Sequence, residues 1–414
     1  MRNAATVFIV WITFLLPSTA VADGMAFRSV SSGGSLEVRA TAQRAVMWRR
    51  SLVWEIHVQP VFDREVGASA WVIPFPVRPR VHESSADFFD QLELITSPVF
   101  LKYCSEDSGS GCVAAKNDGY GGGRSNGSQA SVTIWERGEV GELDYVILSA
   151  EGGDDVAAWL ADEGYSLPAG ADAILAALDT EGVFFFAARL SADADPLKPL
   201  APVRFVLPEM DPPAYPLRLT GLGAPEGEHL DLTLWVIIDQ EQGFLPSSHP
   251  FGYLPVRPTD GIEFDAALDR FFEGNTARTV VCLASVRWEL PTIMDGLQFC
   301  DDFMTCATFD DLGIEPPGEW TPELVEIRNA SQSIYRYQGR FSADAMAGDL
   351  TLGPVPPSDL PWASNVYSEH LGDCDEIGPY SFCAMAGRPG IGWLALAAVL
   401  VAVGAVLLVR GRRR

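Results

Sequence analysis

The chain has 414 residues, 48% hydrophobic and 20% charged, with 55 acidic against 29 basic residues and a formal net charge of −26. That length fits two domains or one large decorated one. So negative a field makes nucleic acid and anionic membrane surfaces poor partners, and no nucleic acid is expected.

The first residues read as a secretory signal peptide, 1–22. Arg2 gives a positive start, Val7 to Leu16 is a short apolar run, Pro17 breaks it, and Ala20-Val21-Ala22 is a small-x-small cleavage site. Between Asp23 and Phe382 the 55 carboxylates face 23 of the 29 basic residues, a net of −32. From Ser51 the pattern is extended: Leu52, Trp54, Ile56 and Val58 alternate with Val53, Glu55, His57 and Gln59, as in a strand. Ala70 to Phe75 is a second strand, expected to form a hairpin with the first and to end or lie at an edge near Pro74. Ser84 and Ser85 precede a capped short helix over Asp87 to Thr96.

Cys104 to Ser131 is a Gly/Ser/Asn-rich loop. Strands are expected at Val132 to Trp135, Tyr145 to Ser149 and Val183 to Leu190, with short helices around Trp159 and over Ala171 to Asp179, stopped by Gly164 and Gly182. Leu200 to Leu207, Pro216 to Leu222 and Leu230 to Ile238 are further strand candidates. Beyond Asp239 come an amphipathic helix over Phe264 to Phe272 and a strand over Thr279 to Trp288. The expected class is α+β, strand-dominated with a few short helices. The expected divisions are a domain at 23–239, a second disulfide-bearing region at 240–353 and a proline-rich stalk at 354–382.

The tail, 383–414, is the clearest single feature. The 19 residues from Ile391 to Val409 carry no charge and would form a helix of roughly 28 Å, close to one hydrocarbon core. Arg410, Arg412, Arg413 and Arg414 follow it and belong on the cytoplasmic side. The expectation is an extracytoplasmic protein, in the periplasm or at the cell surface, held on one C-terminal transmembrane helix.

The seven cysteines, in an oxidising compartment, favour disulfides with one left over. Cys383, beside the membrane segment, is the natural odd one. Cys104 with Cys112 and Cys300 with Cys306 are the local pairs, leaving Cys282 with Cys374, although spacing alone leaves the connectivity open.

Motifs for familiar chemistry are missing: there is no GxSxG, HExxH, Walker loop or Rossmann glycine pattern. The five histidines are scattered. Paired carboxylates occur at Asp154-Asp155, Asp301-Asp302 and Asp310-Asp311. The loop carrying Asp301, Asp302, Asp310 and Asp311 is the best place for a calcium ion, the one cofactor the sequence points toward, and it lacks the DxDxDG form. Trp48, Trp54, Trp71, Trp135, Trp159 and Trp235 fall mostly on expected strands or a helix face. Sugar-stacking platforms are conceivable there, but core packing is the usual reason for such placement.

Several blocks, in order, resemble the bacterial family of domains of unknown function 2330 (DUF2330). They are AQRAVMWRR around Gln43, SAWVIPFPVRP from Ser69, SADFFDQL, VTIWERGEVGELDYVILSA from Val132, AAWLADEGYSLP from Ala157, GVFFFAARL from Gly182, LAPVRFVLP and YPLRLTGLGA. The resemblance covers roughly Asp23 to Asp239 and implies no catalytic residue. Members often carry a cysteine just after the signal, where this chain reads ADGMAF. The tail resembles a second pattern, the MYXO-CTERM sorting signal: a cysteine, a Gly/Pro spacer, an apolar helix and terminal arginines. That likeness implies a membrane protease that acts at or near Cys383. The functional expectation is a non-catalytic binding or scaffolding protein of the envelope with an unidentified partner. The alternatives are a hydrolase using dispersed carboxylates or a calcium-stabilised adhesion module.

Overall fold

A computed structural model describes residues 25–29, 42–50, 53–59, 69–105, 132–150, 155–191, 200–208, 214–223, 229–239, 243–249, 251–252, 254, 258, 261–273, 280–286, 289–295, 299–300, 306–309, 312, 314–360 and 366–373. In chain order the elements begin β1 (Met25–Ser29), β2 (Ala42–Arg50), β3 (Val53–Gln59), β4 (Ser69–Phe75), β5 (Arg80–Glu83), α1 (Ala86–Thr96) and β6 (Val99–Ser105). They continue with β7 (Thr133–Val140), β8 (Leu143–Ser149), α2 (Asp155–Asp162), β9 (Tyr165–Ser166), α3 (Ala171–Glu181), β10 (Phe184–Leu190), β11 (Val203–Leu207) and β12 (Leu230–Ile238). Then come β13 (Gly243–Pro246), β14 (Phe251–Gly252), α4 (Gly261–Glu273), β15 (Val280–Val286), α5 (Glu289–Met294), β16 (Phe299–Cys300) and β17 (Cys306–Ala307). The last are α6 (Pro322–Asn329), β18 (Ser333–Phe341), β19 (Leu352–Val355) and β20 (Val366–Asp373).

Two large sheets carry the fold. One has the strand order β7-β8-β10-β4-β1-β9, the other β14-β15-β18-β12-β2-β3-β11-β5. They pack face to face. In β4 the alternation of side chains sends Trp71, Ile73 and Phe75 to the inner core and Ala70 and Val72 to the outer face. Phe75 and Phe186 of the first sheet close on Phe205 of the second, with ring centroids 4.6 Å and 4.9 Å from it. The outer face of the six-stranded sheet is covered by α2 and α3. The outer face of the eight-stranded sheet is covered by α1, α5 and α6, with α4 over β15. The result is a strand-dominated α+β sandwich of four layers. Strands buried on both faces explain the near-continuous apolar runs of β4, β12 and β15.

Some expectations are corrected. β3 and β4 do not form a hairpin: β3 pairs with β2 and β11, β4 with β1 and β10, and the two lie in opposite sheets. Their apolar faces meet across the core instead of side by side. Pro74 lies in an interior strand, opposite Phe185 of β10. Among the described residues β1 pairs with β4 from Ser69 to Val72. Residues 216–222 are not a strand: Tyr215 makes one bridge to Leu350, and Thr220–Gly223 is a 3-10 turn. Ser85 occupies the N-cap of α1 but makes no side-chain cap.

β12 pairs with β18 along its whole length, so strands from both sides of residue 239 share one sheet. β19 pairs with β13, placing Pro354 opposite Phe244, and Leu360 reaches the inner core. Among the described residues no helix is long and apolar enough to cross a membrane. The expected signal peptide and the expected anchor over 391–409 lie outside the described residues.

Candidate functional site

The six-stranded sheet has an outer face that its helices do not fully cover. Beside the C-terminal end of α2 the sheet surface is built from small or short side chains: Ala70 of β4, Val146 of β8 and Ala187 of β10. A cleft of ≈ 170 Å³ opens above them. One wall is charged. Register places Glu139 of β7 opposite Asp144 of β8, and Asp144 opposite Arg189 of β10, so three charges form one row across three strands. Arg137, two residues before Glu139, lies on the same face of β7, opposite Val146.

The other wall comes from the end of α2. Trp159 and Glu163 are one helical turn apart and face the same way, and the N–H of Glu163 still donates to the Trp159 carbonyl at 2.9 Å. Gly164, at φ +85°, turns the chain in a left-handed conformation that favours glycine. Tyr165 then enters β9, opposite Ser29. Beneath the cleft, Gly138 is required by a close approach: a Cβ there would sit 2.7 Å from the Tyr145 hydroxyl oxygen. That hydroxyl donates to Glu136 Oε1 at 2.8 Å, and the same carboxylate pairs with Arg78 at 2.9 Å.

Of the side chains lining the cleft, Trp159 and Glu163 each bury a polar atom, Nε1 and Oε1, that has no hydrogen-bond partner among the described residues. Trp159 is only 5% exposed. A buried donor or acceptor left unmade costs about 1–3 kcal/mol, and both atoms lie within the walls, closed to solvent. Burial raises the Glu163 carboxyl above the usual range, against the pull of Arg137 and Arg189. Burial also raises the Tyr165 phenol, again opposed by Arg189. Arg189 itself lies 3.7 Å from Asp144. The cleft thus offers donors and acceptors side by side, in a partly desolvated setting that strengthens them.

A second polar cluster lies under α1, on the outer face of the eight-stranded sheet. Glu55 and His57, both on β3, are buried there. His57 Nδ1 is 2.8 Å from Ser84 Oγ, and Nε2 is 3.5 Å from Glu55 Oε2. Facing the carboxylate, Nε2 is the protonated nitrogen of the neutral ring, so the Ser84 hydroxyl donates to Nδ1. Burial above all lowers the His57 pKa, although Glu55 opposes this. Burial pushes Glu55 up, but His57, Arg204 and Arg50 together hold it below the usual carboxylate range. These are the residue types of a nucleophile–base–acid array. Their setting is that of a lock: the imidazole is wholly buried, edge-on to Phe88, and the Ser84 N–H is tied to the Pro202 carbonyl at 3.0 Å. The cluster fixes the start of α1 to β3.

Asp301, Asp302, Asp310 and Asp311 lie outside the described residues. Among the described residues no group of three or more His, Cys, Asp and Glu side chains could hold a metal ion. Cys300 of β16 and Cys306 of β17 are direct antiparallel partners. Cys104 lies in β6, and Cys282 is buried in β15 with its sulfur 3.7 Å from the Ala284 carbonyl oxygen. Cys112, Cys374, Cys383, Ala22 and Arg410 to Arg414 lie outside the described residues. Sequence reasoning placed Trp159 on a helix face but missed Glu163, Arg137 and Arg189. The available signal was Arg137 and Glu139 spaced by two just past the strand expected at Val132 to Trp135; the observed strand runs on to Val140 and puts both charges on one face.

A family model described as an uncharacterized protein conserved in bacteria (DUF2330) matches residues 22–241. No curated protein and no solved structure matches.

Proposed function

The chain belongs to the DUF2330 family of bacterial proteins, and from that premise we propose that it is an extracytoplasmic, envelope-anchored binding protein whose cleft beside α2 receives a small polar group. The observation that carries this reading is the cleft itself, walled by Arg137, Glu139, Asp144 and Arg189 on one side and by Trp159, Glu163 and Tyr165 on the other. At ≈ 170 Å³ the cleft is below the roughly 300–1,000 Å³ of pockets for drug-sized ligands. It suits one ring-sized group or the end of a chain. A non-catalytic role is preferred because paired-carboxylate hydrolysis asks for two carboxyls with pKa values pushed apart across a scissile bond. In the cleft, burial raises the Glu163 carboxyl, and the acidic neighbours Glu139 and Asp144 sit in register side by side on one wall rather than across a gap from each other.

The address is part of the proposal. It is supported by the signal-like N-terminus, by the uncharged 391–409 stretch with its arginine flank, and by the likeness of the tail to a sorting signal. Under it, a membrane protease processes the tail at or near Cys383, and Cys383→Ala leaves the tail attached.

Native mass spectrometry on protein taken from its own envelope tests the binding role. The expected result is a noncovalent adduct of small mass that is lost in Trp159→Phe. Bare protein in both samples, with the cleft residues intact, would contradict it.

A further inference from the structure

The outer edge of the six-stranded sheet carries an inference that does not depend on the binding role. We propose that β7 is a self-association edge, where a second copy of this chain pairs antiparallel with it about a twofold axis at Gly138. β7 is terminal in its sheet and, among the described strands, pairs with β8 alone. Val140 and Leu143 close the two-residue turn between these strands, so that pair exchanges hydrogen bonds and the pairs behind it alternate. Gly138 therefore bonds toward β8, whereas the main-chain N–H and C=O of Arg137 and Glu139 point out along the sheet edge. Both ends of this stretch are capped from within the chain. Arg78 Nη2 donates to the Trp135 carbonyl at 3.3 Å, and the Gly141 N–H donates to Glu83 Oε1 at 3.4 Å. The two capped residues lie three positions to either side of Gly138, which leaves a window symmetric about that glycine.

Charge fits the window. Strand edges are usually guarded by charges that repel a further strand. Here the two exposed charges, Arg137 and Glu139, are opposite in sign and two residues apart. Antiparallel partners share a face of the sheet. With Gly138 opposite Gly138 of the second copy, Arg137 of each copy therefore meets Glu139 of the other, as an isologous contact requires. Each such pair also exchanges main-chain hydrogen bonds. In the single chain Glu139 stands directly opposite Asp144, a like-charge placement that weakens a sheet. A guanidinium brought in on the other side of Glu139 relieves it. At the axis the facing glycines need no side-chain room. A peptide of one charge sign would pair with one of these side chains and repel the other, whereas the strand itself carries both at the matching spacing. The net charge of −26 opposes association at long range, but it is screened beyond about 8 Å at physiological salt. The twofold joins the two six-stranded sheets edge to edge with their outer faces on one side. Arg137 and Glu139 also line the cleft, so the two clefts become neighbours across the axis.

The test is sedimentation velocity on the full chain in detergent, at physiological salt and over a wide concentration series. The samples are wild type, Arg137→Glu, Glu139→Arg and the double reversal, each checked for folding by circular dichroism. A contact this small is of the weak class, so the readout is the monomer–dimer midpoint. The expected result is a concentration-dependent dimer in the wild type, weakened about tenfold or more in each single reversal and restored in the double reversal. A one-to-one mixture of the two single variants should also restore it, because each chain then meets the opposite charge. That arm serves if the double variant fails to fold. Hydrogen exchange at the Arg137 and Glu139 amides should be slow in the dimer and fast in the single variants. A wild type that stays monomeric, or a dimer indifferent to both single reversals, would overturn the proposal. So would slow exchange at those amides in a monomer, because the chain would then cover this edge itself. Single reversals that weaken the dimer, with neither the double variant nor the mixture restoring it, would overturn the pairing about Gly138.

Discussion

Lowering the pH should unlock α1 before it reaches the carboxylates of the core. His57 is wholly buried between Trp48 and Phe88, against Ser84, Glu55 and Arg204, and its pKa in the folded chain is lowered. The unfolded chain should titrate His57 near about 6.5. Below that pH the unfolded state binds one more proton than the folded state, and stability falls as pH falls. The contribution is complete above about 6.5 and is lost as pH falls, at up to about 1.4 kcal/mol per pH unit, until the folded pKa is reached. Glu55 is also held below its usual range, but its contribution is lost only below about pH 4.3, outside this window. His82 shifts in the same direction as His57 and is common to wild type and variant. The assay is the urea midpoint at pH 7, 6 and 5 for the wild type and for His57→Gln. The variant should be less stable at pH 7, and the gap should narrow steadily at pH 6 and again at pH 5. A gap that stays constant or widens on acidification would refute a neutral, buried His57.

Three further outcomes follow from packing and register. Phe205→Ala removes the ring on which Phe75 and Phe186 close and should cost about 3–5 kcal/mol, read as a lowered urea midpoint with an unchanged slope. Gly138→Ala drives a Cβ into the Tyr145 ring and should cost about 1–3 kcal/mol while breaking the Tyr145–Glu136 hydrogen bond, seen as loss of buried-tyrosine absorbance. Cys300 and Cys306, as direct antiparallel partners, should have Cα atoms about 4.5–5.5 Å apart, within disulfide range. Peptide mapping without reduction should recover them linked, and two separately alkylated thiols would reject that pair.

Most of the strands that line the sandwich are legible because burial on both faces leaves long apolar runs: Ser69–Phe75, Leu230–Ile238 and Val280–Val286 stand out unaided. Which sheet a strand joins is not legible. β3 and β4 read as neighbours, yet they face each other across the core, because period-2 alternation is the same whether a strand pairs with its neighbour or packs upon it. β2 and β18 are masked by charge: Arg44 is spent on Gln59 and Asp90, and Arg336 on Glu93, contacts that exist only after folding. The cleft is hidden for the same reason. Trp159 and Glu163 share a helix turn, but their counterparts Asp144 and Arg189 come from two strands whose adjacency only the register reveals. The His57 cluster shows at sequence level only as Glu55 and His57 two apart on a strand; Ser84 reaches it through the fold.

The measurement that tests the account most directly is a crystal structure of the protein purified from its own envelope without exchange of ligands. A small polar ligand should lie over Ala70 and Ala187, between the Asp144 and Arg189 wall and the Trp159 and Glu163 wall. A cleft filled by ordered water alone, or closed by its own side chains, would contradict it.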